Sequence, residues 1–466
     1  MLGKKFINTA FLLVLFAFGS SSLSADLKSE YNQADYLIIT HPDYLSSVED
    51  FADWRTSKGL NVQTVSIDDI YTEFPADGDK VQSIIEFISF ALTNWNDPAP
   101  KYVLLVGSIN QIPARIDSSS ILDEKFVSMD HYYSVNIYEN DIIPDVAVGR
   151  FPARSIDDLG NIISKTMRFE ENFYEINYQY DMLLTTEDDG NLFELQVQSL
   201  IDNILPEYLE IKRIDFRDDS QYHGDKNDFF KAIDDGTVWL GNYFHGAPTV
   251  WSKSDTISIE DFENHQFTNK PFIMFAESCS QRYDDSEEKS IVELLLSESN
   301  GGSVASLAFA GYTWASASAD LLKEFHKKVF AQAIPTLGEV FLEVKQENDS
   351  KFNRRFALLG DPALKIPNLQ KAAVNENPIA LAEAKIYPNP AAENARLSFN
   401  MTEAGDVSVD IYDLTGKKLI SVAKNYFQSG RVDFPLSITK LNTGCYICLL
   451  RINGEVSSLV LNKISD

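Results

Sequence analysis

From Asp35 to about Pro367 the chain keeps one rhythm: short β-rich apolar runs separated by amphipathic stretches of ten to twenty residues. The runs are DYLIIT, NVQTVSI, KYVLLVG and DVAVGRF, then DMLLTT, LEIKRIDF, TVWLGNYF, PFIMFA and GGSVASLAFAG. Strands that alternate with helix-length connections form βαβ units, and runs that stay apolar throughout must be buried on both faces. The rhythm predicts an α/β fold, a parallel sheet with helices on each side. A break near residues 170–180 divides it into two α/β halves, residues 26–174 and 175–367. The stretch YLSSVEDFADWRTSKG shows the punctuation of one helix: a basic last turn at Lys58, Gly59 to leave it, then a strand from Asn61.

The flanks differ. Residues 1–25 read as a signal peptide, with Lys4 and Lys5, then the apolar FINTAFLLVLFAF, then the small-residue GSSSLSA and cleavage after Ala25. Thirteen apolar-dominated residues are too few to cross a bilayer comfortably, and no other segment reaches transmembrane length, so the expected mature chain is exported with no transmembrane segment. Residues 368–384, NLQKAAVNENPIALAEA, are polar and alanine-rich and read as a linker. From 385 to 466 short alternating strands with turn signals predict a small all-β sandwich.

Composition narrows the partners. Acidic residues outnumber basic ones by 69 to 40, a formal charge of −29, so a phosphate-binding surface would stand against the mean field and nucleic acid is set aside. The three cysteines, Cys279, Cys445 and Cys448, permit one bridge at most. Cys445 and Cys448 read as strand residues, which leaves Cys279 unbridged.

The apolar run PFIMFA stops abruptly at Glu277-Ser278-Cys279. A lone cysteine is most often a small buried hydrophobe that completes a core strand. The run TVWLGNYF, however, ends at His245-Gly246, and carboxyl ends of parallel strands share one edge. Two such strands bring an imidazole beside a thiol. The thiolate is the nucleophile in that chemistry, and the imidazole is the base that later protonates the leaving amine. Gly246 allows close approach of substrate to a backbone N–H. The run DMLLTT ends in Glu187-Asp188-Asp189, an acidic triplet that is a solvated turn unless it orients the imidazole.

These residues resemble the caspase, legumain and gingipain group of cysteine peptidases. The likeness to the gingipain-type catalytic domain runs in order through DYLIITHPDYLSSVEDFADWRTSKGLNVQTV, KYVLLVGSINQIPA, DVAVGRFPARSIDDL, LLTTEDDG, GNYFHGAPTVW, PFIMFAESCSQ, YTWASA and RFALLGDPAL. The resemblance implies a caspase-like parallel-sheet catalytic domain with Cys279 as nucleophile, His245 as base and Glu187 as orienting acid. It further implies an oxyanion hole from the N–H groups of Gly246 and Cys279, and Trp314 near the substrate's P1 side chain. No cofactor is required for catalysis; the relatives' structural calcium is allowed, but its ligands are unknown. Three departures stand out: Ser278 where alanine is common, no long pro-region between residues 26 and 34, and a shorter loop after Glu187.

The tail is similar to the sorting domain of type IX secretion through KIYPNPAAENARLSF, VSVDIYDLTGKKL and NTGCYICLLRINGEVSSLVLNKI. That likeness implies the type IX machinery as a partner, removal of the tail, and a final place outside the cell or on the outer-membrane surface. The leading expectation is a secreted cysteine endopeptidase acting on protein or peptide substrates. The competing ones are a catalytically silent surface binding module and a processing transpeptidase for exported proteins. A basic P1 residue is expected, with Trp314 as a wall for its aliphatic stem. Asp188, Asp189 and above all Glu194, on a helix starting near Asn191, are the candidate pocket acids, against an apolar pocket or one that reads Asn or Asp.

Overall fold

The structure, a computed structural model, describes residues 26–117, 127–139, 141–252, 256–281, 283, 288–331, 335–348, 350–369, 384–401, 404–413, 418–452 and 455–465. The expected signal peptide and most of the expected linker lie outside the described residues. Two compact units, Met1–Pro367 and Asn368–Asp466, divide the chain.

The first unit is built on ten strands: β1 (Tyr36–Thr40), β2 (Val62–Ser66), β3 (Tyr102–Val106), β4 (Ala147–Phe151), β5 (Tyr180–Thr186), β6 (Ile211–Asp215), β7 (Thr237–Tyr243), β8 (Phe272–Ala276), β9 (Ser303–Phe309) and β10 (Phe356–Gly360). They form one sheet in the order β2-β1-β3-β4-β10-β9-β8-β7-β5-β6. Every residue of β1, β3, β8 and β9 is buried, as their unbroken apolar runs require in a sheet covered on both faces. All pairings are parallel except β9 with β10. The two expected halves are therefore flanks of a single sheet, and β10, from the end of the unit, pairs with β4 of the first half. This order depends on pairing between distant segments, which strand periodicity does not encode.

Helices connect the strands where expected. The first, α1 (Leu45–Ser57), ends with Gly59 at φ +97°, the left-handed region that glycine enters freely. Ser66, Asp79, Ser155 and Ser290 each accept a first-turn N–H as N-caps, each contributing about 1 kcal/mol. The ends of the unit are clasped by a buried ionic cluster. Asp361, just past β10, accepts the hydroxyl of Tyr36 in β1 at 2.8 Å and a short bond from Arg55 of α1. The other arm of Arg55 reaches Glu170 at 3.0 and 3.1 Å. Arg55 and Asp361 are fully buried, so each charge depends on the other.

The second unit has a three-stranded and a four-stranded antiparallel sheet around its own apolar core, which includes Leu397, Val409, Ile411, Leu436 and Leu450. Cys445 and Cys448 both lie in the strand Gly444–Ile452 and neither is in a disulfide. Three positions apart on a strand, they face opposite sides. Cys445 is exposed; Cys448 is buried, and burial pushes its thiol up to about 12.

Candidate active site

Strands β8, β7 and β5 are neighbours and all parallel, so their carboxyl ends meet on one edge. The register pairs Ala276 with Asn242 and Tyr243 with Thr186. Cys279 and His245 each stand three residues beyond the first pair, and Glu187 directly follows the second. Level strand ends thus carry thiol, imidazole and carboxylate together.

Cys279 leaves β8 through a tight turn. Ser280 takes φ +52°, uncommon for a residue with a side chain, and its N–H reaches Gly311 O at 3.1 Å. The Cys279 thiol, half-buried, donates to Thr313 O at 3.5 Å. Gly246 lies against this turn: a Cβ built on it would stand 2.8 Å from Ser278 Cβ and 3.2 Å from Cys279 O. Any side chain there would drive the His-Gly and Ser-Cys loops apart, so glycine is required by close approach.

Two side chains absent from the expected site fix these loops. Buried Gln281 donates to Ala247 O and Cys279 O, both at 3.1 Å, and accepts from Trp251 Nε1 at 3.1 Å. Asn242 Nδ2 donates to Ser278 Oγ at 3.1 Å, a bond that alanine at 278 could not make. Gln281 and Trp251 both sit inside the quoted stretches, PFIMFAESCSQ and GNYFHGAPTVW, but only their spatial pairing gives them meaning.

The acids divide their work around His245. Buried Glu187 Oε1 accepts the His245 main-chain N–H at 2.7 Å and is 3.7 Å from Nε2. Nε2 is closer to Asp189 Oδ2, at 3.0 Å. The imidazole and the Phe193 ring pack in a T-shaped arrangement, centroids 5.3 Å apart. Asp189, expected as a pocket acid, is therefore the carboxylate in contact with the ring. Asp188 is exposed.

Trp314, 57 % exposed, follows the carbonyl that holds the thiol and opens the helix Ala315–Ala331, its own carbonyl accepting from Ala317 and Ser318. Glu194 does point inward from α2 (Leu192–Asn203) and is buried, but its Oε1 stands 2.7 Å from Arg217 Nε, an ion pair without in-line hydrogen-bond geometry. Its charge is already opposed by Arg217, whereas the sequence offered it, with Asp188 and Asp189, as a candidate pocket acid. The pairing joins a helix to a loop beyond β6, a tertiary contact with no local signature. Among the described residues, no group of three or more His, Cys, Asp and Glu side chains converges to hold a metal ion.

The fold and edge define a class: an α/β protein with thiol and imidazole set at adjoining strand ends. The chain belongs to peptidase family C25, whose profile matches residues 29–367. Residues 385–464 match the secretion system C-terminal sorting domain, which makes this a secreted or cell-surface protein and implies the type IX machinery as its route. Catalysis in this cysteine peptidase family needs no cofactor. Gingipain R2 of Porphyromonas gingivalis is 23% identical over 474 residues, covering 91% of this chain and 58% of the relative. Gingipain R1 of the same organism is 24% identical over 451 residues, 84% of this chain and 42% of the relative. The chain spans about half the length of these relatives. The crystal structure of the Arg specific cysteine proteinase gingipain R shares the fold, with a TM-score of 0.62 at 18% identity over 94% of this chain and 99% of that one. The complex of Porphyromonas gingivalis RgpB pro- and mature domains gives 0.60, also at 18%, over 92% of this chain and 100% of that one. No described helix is long and apolar enough to cross a membrane.

Proposed function

We propose that this protein is a secreted cysteine endopeptidase whose nucleophile is Cys279 and whose general base and acid is His245. The observation that carries the reading is the close contact of the His245-Gly246 loop with the Ser278-Cys279 loop at level ends of adjoining parallel strands. In the reaction the Cys279 proton passes to His245, and the thiolate attacks the scissile carbonyl carbon to form a C–S bond. The N–H groups of Gly246 and Cys279 receive the oxyanion. Collapse breaks the C–N bond, and His245 returns its proton to the leaving amine. Water then attacks the acyl-enzyme, passing a proton to His245, and the Cys279 thiol is regenerated with release of the acid.

Asp189 opposes the charge of the imidazolium, while Glu187 fixes the main chain that carries it. Trp314 offers a flat wall to the substrate side chain, and a basic P1 residue fits both this wall and the Arg specificity stated for the gingipain R structure. The test is labelling with a thiol-reactive peptidyl probe, scored alongside turnover of a fluorogenic peptide. Wild type should label at Cys279 and turn over; Cys279→Ala should do neither, and His245→Ala should lose about 10²- to 10⁴-fold in rate. Equal turnover by wild type and Cys279→Ala would overturn the reading, and an inert wild type would make it a silent binding module.

A further inference from the structure

Gln281, two residues past the nucleophile, is fully buried. Its amide Nε2 donates to main-chain carbonyls on two different loops: Ala247 O, just after the His245-Gly246 pair, and Cys279 O, each at 3.1 Å. Its oxygen accepts from the indole N–H of Trp251, also fully buried, at 3.1 Å. An indole nitrogen only donates and a carbonyl only accepts, so the amide is held in one of its two orientations. Turned over, it would meet a donor with a donor and two acceptors with an acceptor. Its own main chain is pinned as well, since the Gln281 N–H reaches Phe309 O at 2.9 Å.

Trp251 and Ala247 belong to a small antiparallel sheet that starts directly after His245, with strands Gly246–Ala247, Val250–Trp251 and Ile257–Ser258. Gly246 stands opposite Trp251, and the Ser252 N–H reaches His245 O at 2.7 Å. That is the pattern of a pair whose own main-chain groups do not bond each other, so the Gly246 N–H points away from the strand beside it. The Gln281 amide lies against this glycine: a Cβ built on Gly246 would stand 3.1 Å from Nε2. Trp251 in turn packs on Phe262, centroids 5.2 Å apart, and on Phe229 at 6.5 Å, so the indole that orients the amide is itself wedged in the apolar core. One side chain thus spans the gap between the two loops that carry Gly246 and Cys279.

We propose that Gln281 is a positioning residue for the oxyanion site, holding the Gly246 and Cys279 loops at the separation at which both N–H groups reach one oxygen, with Trp251 setting the orientation of its amide. The assignment rests on the peptidase reading, because the oxyanion exists only when Cys279 attacks a carbonyl. The bonds of the amide leave the Cys279 thiol and the His245 ring to other partners, Thr313 O and Asp189. Loss of the amide should therefore spare proton transfer within the Cys279-His245 pair and weaken the stabilisation of negative charge on the attacked carbonyl oxygen.

Iodoacetamide separates the two effects in the full chain. Its alkylation of Cys279 needs the thiolate but forms the C–S bond at a saturated carbon, with loss of iodide, and creates no oxyanion. Gln281→Met, of similar length without the amide, should be alkylated within about twofold of the wild-type rate, while kcat for a fluorogenic peptide falls on the order of 10²-fold with KM nearly unchanged. A peptide aldehyde adds to Cys279 as a hemithioacetal, a C–S bond replacing the carbonyl π bond and the thiol proton passing to the oxygen, which sits at the oxyanion site. Its capture should weaken on the order of 10²-fold in the same variant. Should Gln281→Met fail to fold, Trp251→Phe keeps an aromatic ring in the core, removes the indole donor, and should lower kcat about tenfold with alkylation unchanged. Unchanged kcat in a folded Gln281→Met or in Trp251→Phe overturns the proposal, as does alkylation that falls in step with kcat, the mark of a merely structural role. A wild type that hydrolyses no peptide but captures the aldehyde in a Gln281-dependent way sinks the peptidase reading and upholds the positioning role. No capture by wild type, or capture that ignores Gln281, sinks the positioning role.

Discussion

Glu187 holds His245 by its main chain: Oε1 accepts the His245 N–H at 2.7 Å, while Nε2 of the ring sits 3.7 Å away and closer to Asp189. The two acids should then separate kinetically. Asp189→Asn removes the charge facing the imidazolium and should lower kcat about 10²-fold. Glu187→Gln keeps an oxygen for the main-chain N–H and should cost about tenfold or less. Steady-state kinetics on one fluorogenic peptide checks the order, and a larger loss in Glu187→Gln would return the orienting role to that residue.

Gly246→Ala places a methyl 2.8 Å from Ser278 Cβ. The loops must shift, and with them the N–H groups of the oxyanion site. We expect kcat to fall on the order of 10²-fold, the scale of losing one oxyanion donor. Melting should drop by only a few degrees. Unimpaired kcat would show that the close approach has no part in the chemistry.

The Arg55-Asp361 pair ties α1 to the chain beyond β10 without water to screen it. Asp361→Ala leaves Arg55 buried against Glu170 alone and should cost about 3–5 kcal/mol. Urea denaturation of the chain measures it directly. A loss below about 1 kcal/mol would mean that water or Glu170 compensates.

Glu277 gives stability a pH dependence of known sign. Its folded-state pKa lies above its unfolded value, so between the two the folded chain holds the extra proton and stability falls as pH rises. Glu277→Gln removes this penalty. The variant should melt above wild type at neutral and alkaline pH, with the gap closing as pH falls below the ordinary carboxylate range near 4.5. A gap that widens in acid would contradict the burial of an uncompensated carboxyl.

A chain truncated after Leu369 lacks the sorting domain. It should cross the inner membrane and stay in the periplasm, as fractionation with protease shaving of intact cells would report. Surface levels equal to those of the full chain would remove the sorting role from residues 385–464.

Much of this was legible in the sequence because the signals were local. The central strand runs announced themselves by their apolar sequence, and His245 and Cys279 were found because both follow such runs and parallel register brings their ends level. What escaped was decided by backbone turning and distant pairing. Glu187, Asp188 and Asp189 are equivalent as letters; Gly190 at φ +63° and Asn191 at φ +76° redirect the chain just after them, and in the folded loop it is Asp189 that stands at the ring. Glu194 looked available until a loop beyond β6 supplied Arg217. Glu277 read as the end of a strand, and only the folded surroundings reveal that its carboxyl is buried with no hydrogen bond of good geometry among the described residues.

The single antiparallel seam between β9 and β10 has a geometric result for the whole unit. Strands on its two sides point in opposite directions, so the sheet has two carboxyl rims facing away from each other. The thiol and imidazole occupy the rim of β5, β7 and β8; the turns after β1, β3 and β4 belong to the other. A fluorophore or affinity tag attached on that second rim would ride on the far side of the sheet from the reacting atoms, leaving the approach of a polypeptide to Cys279 unobstructed.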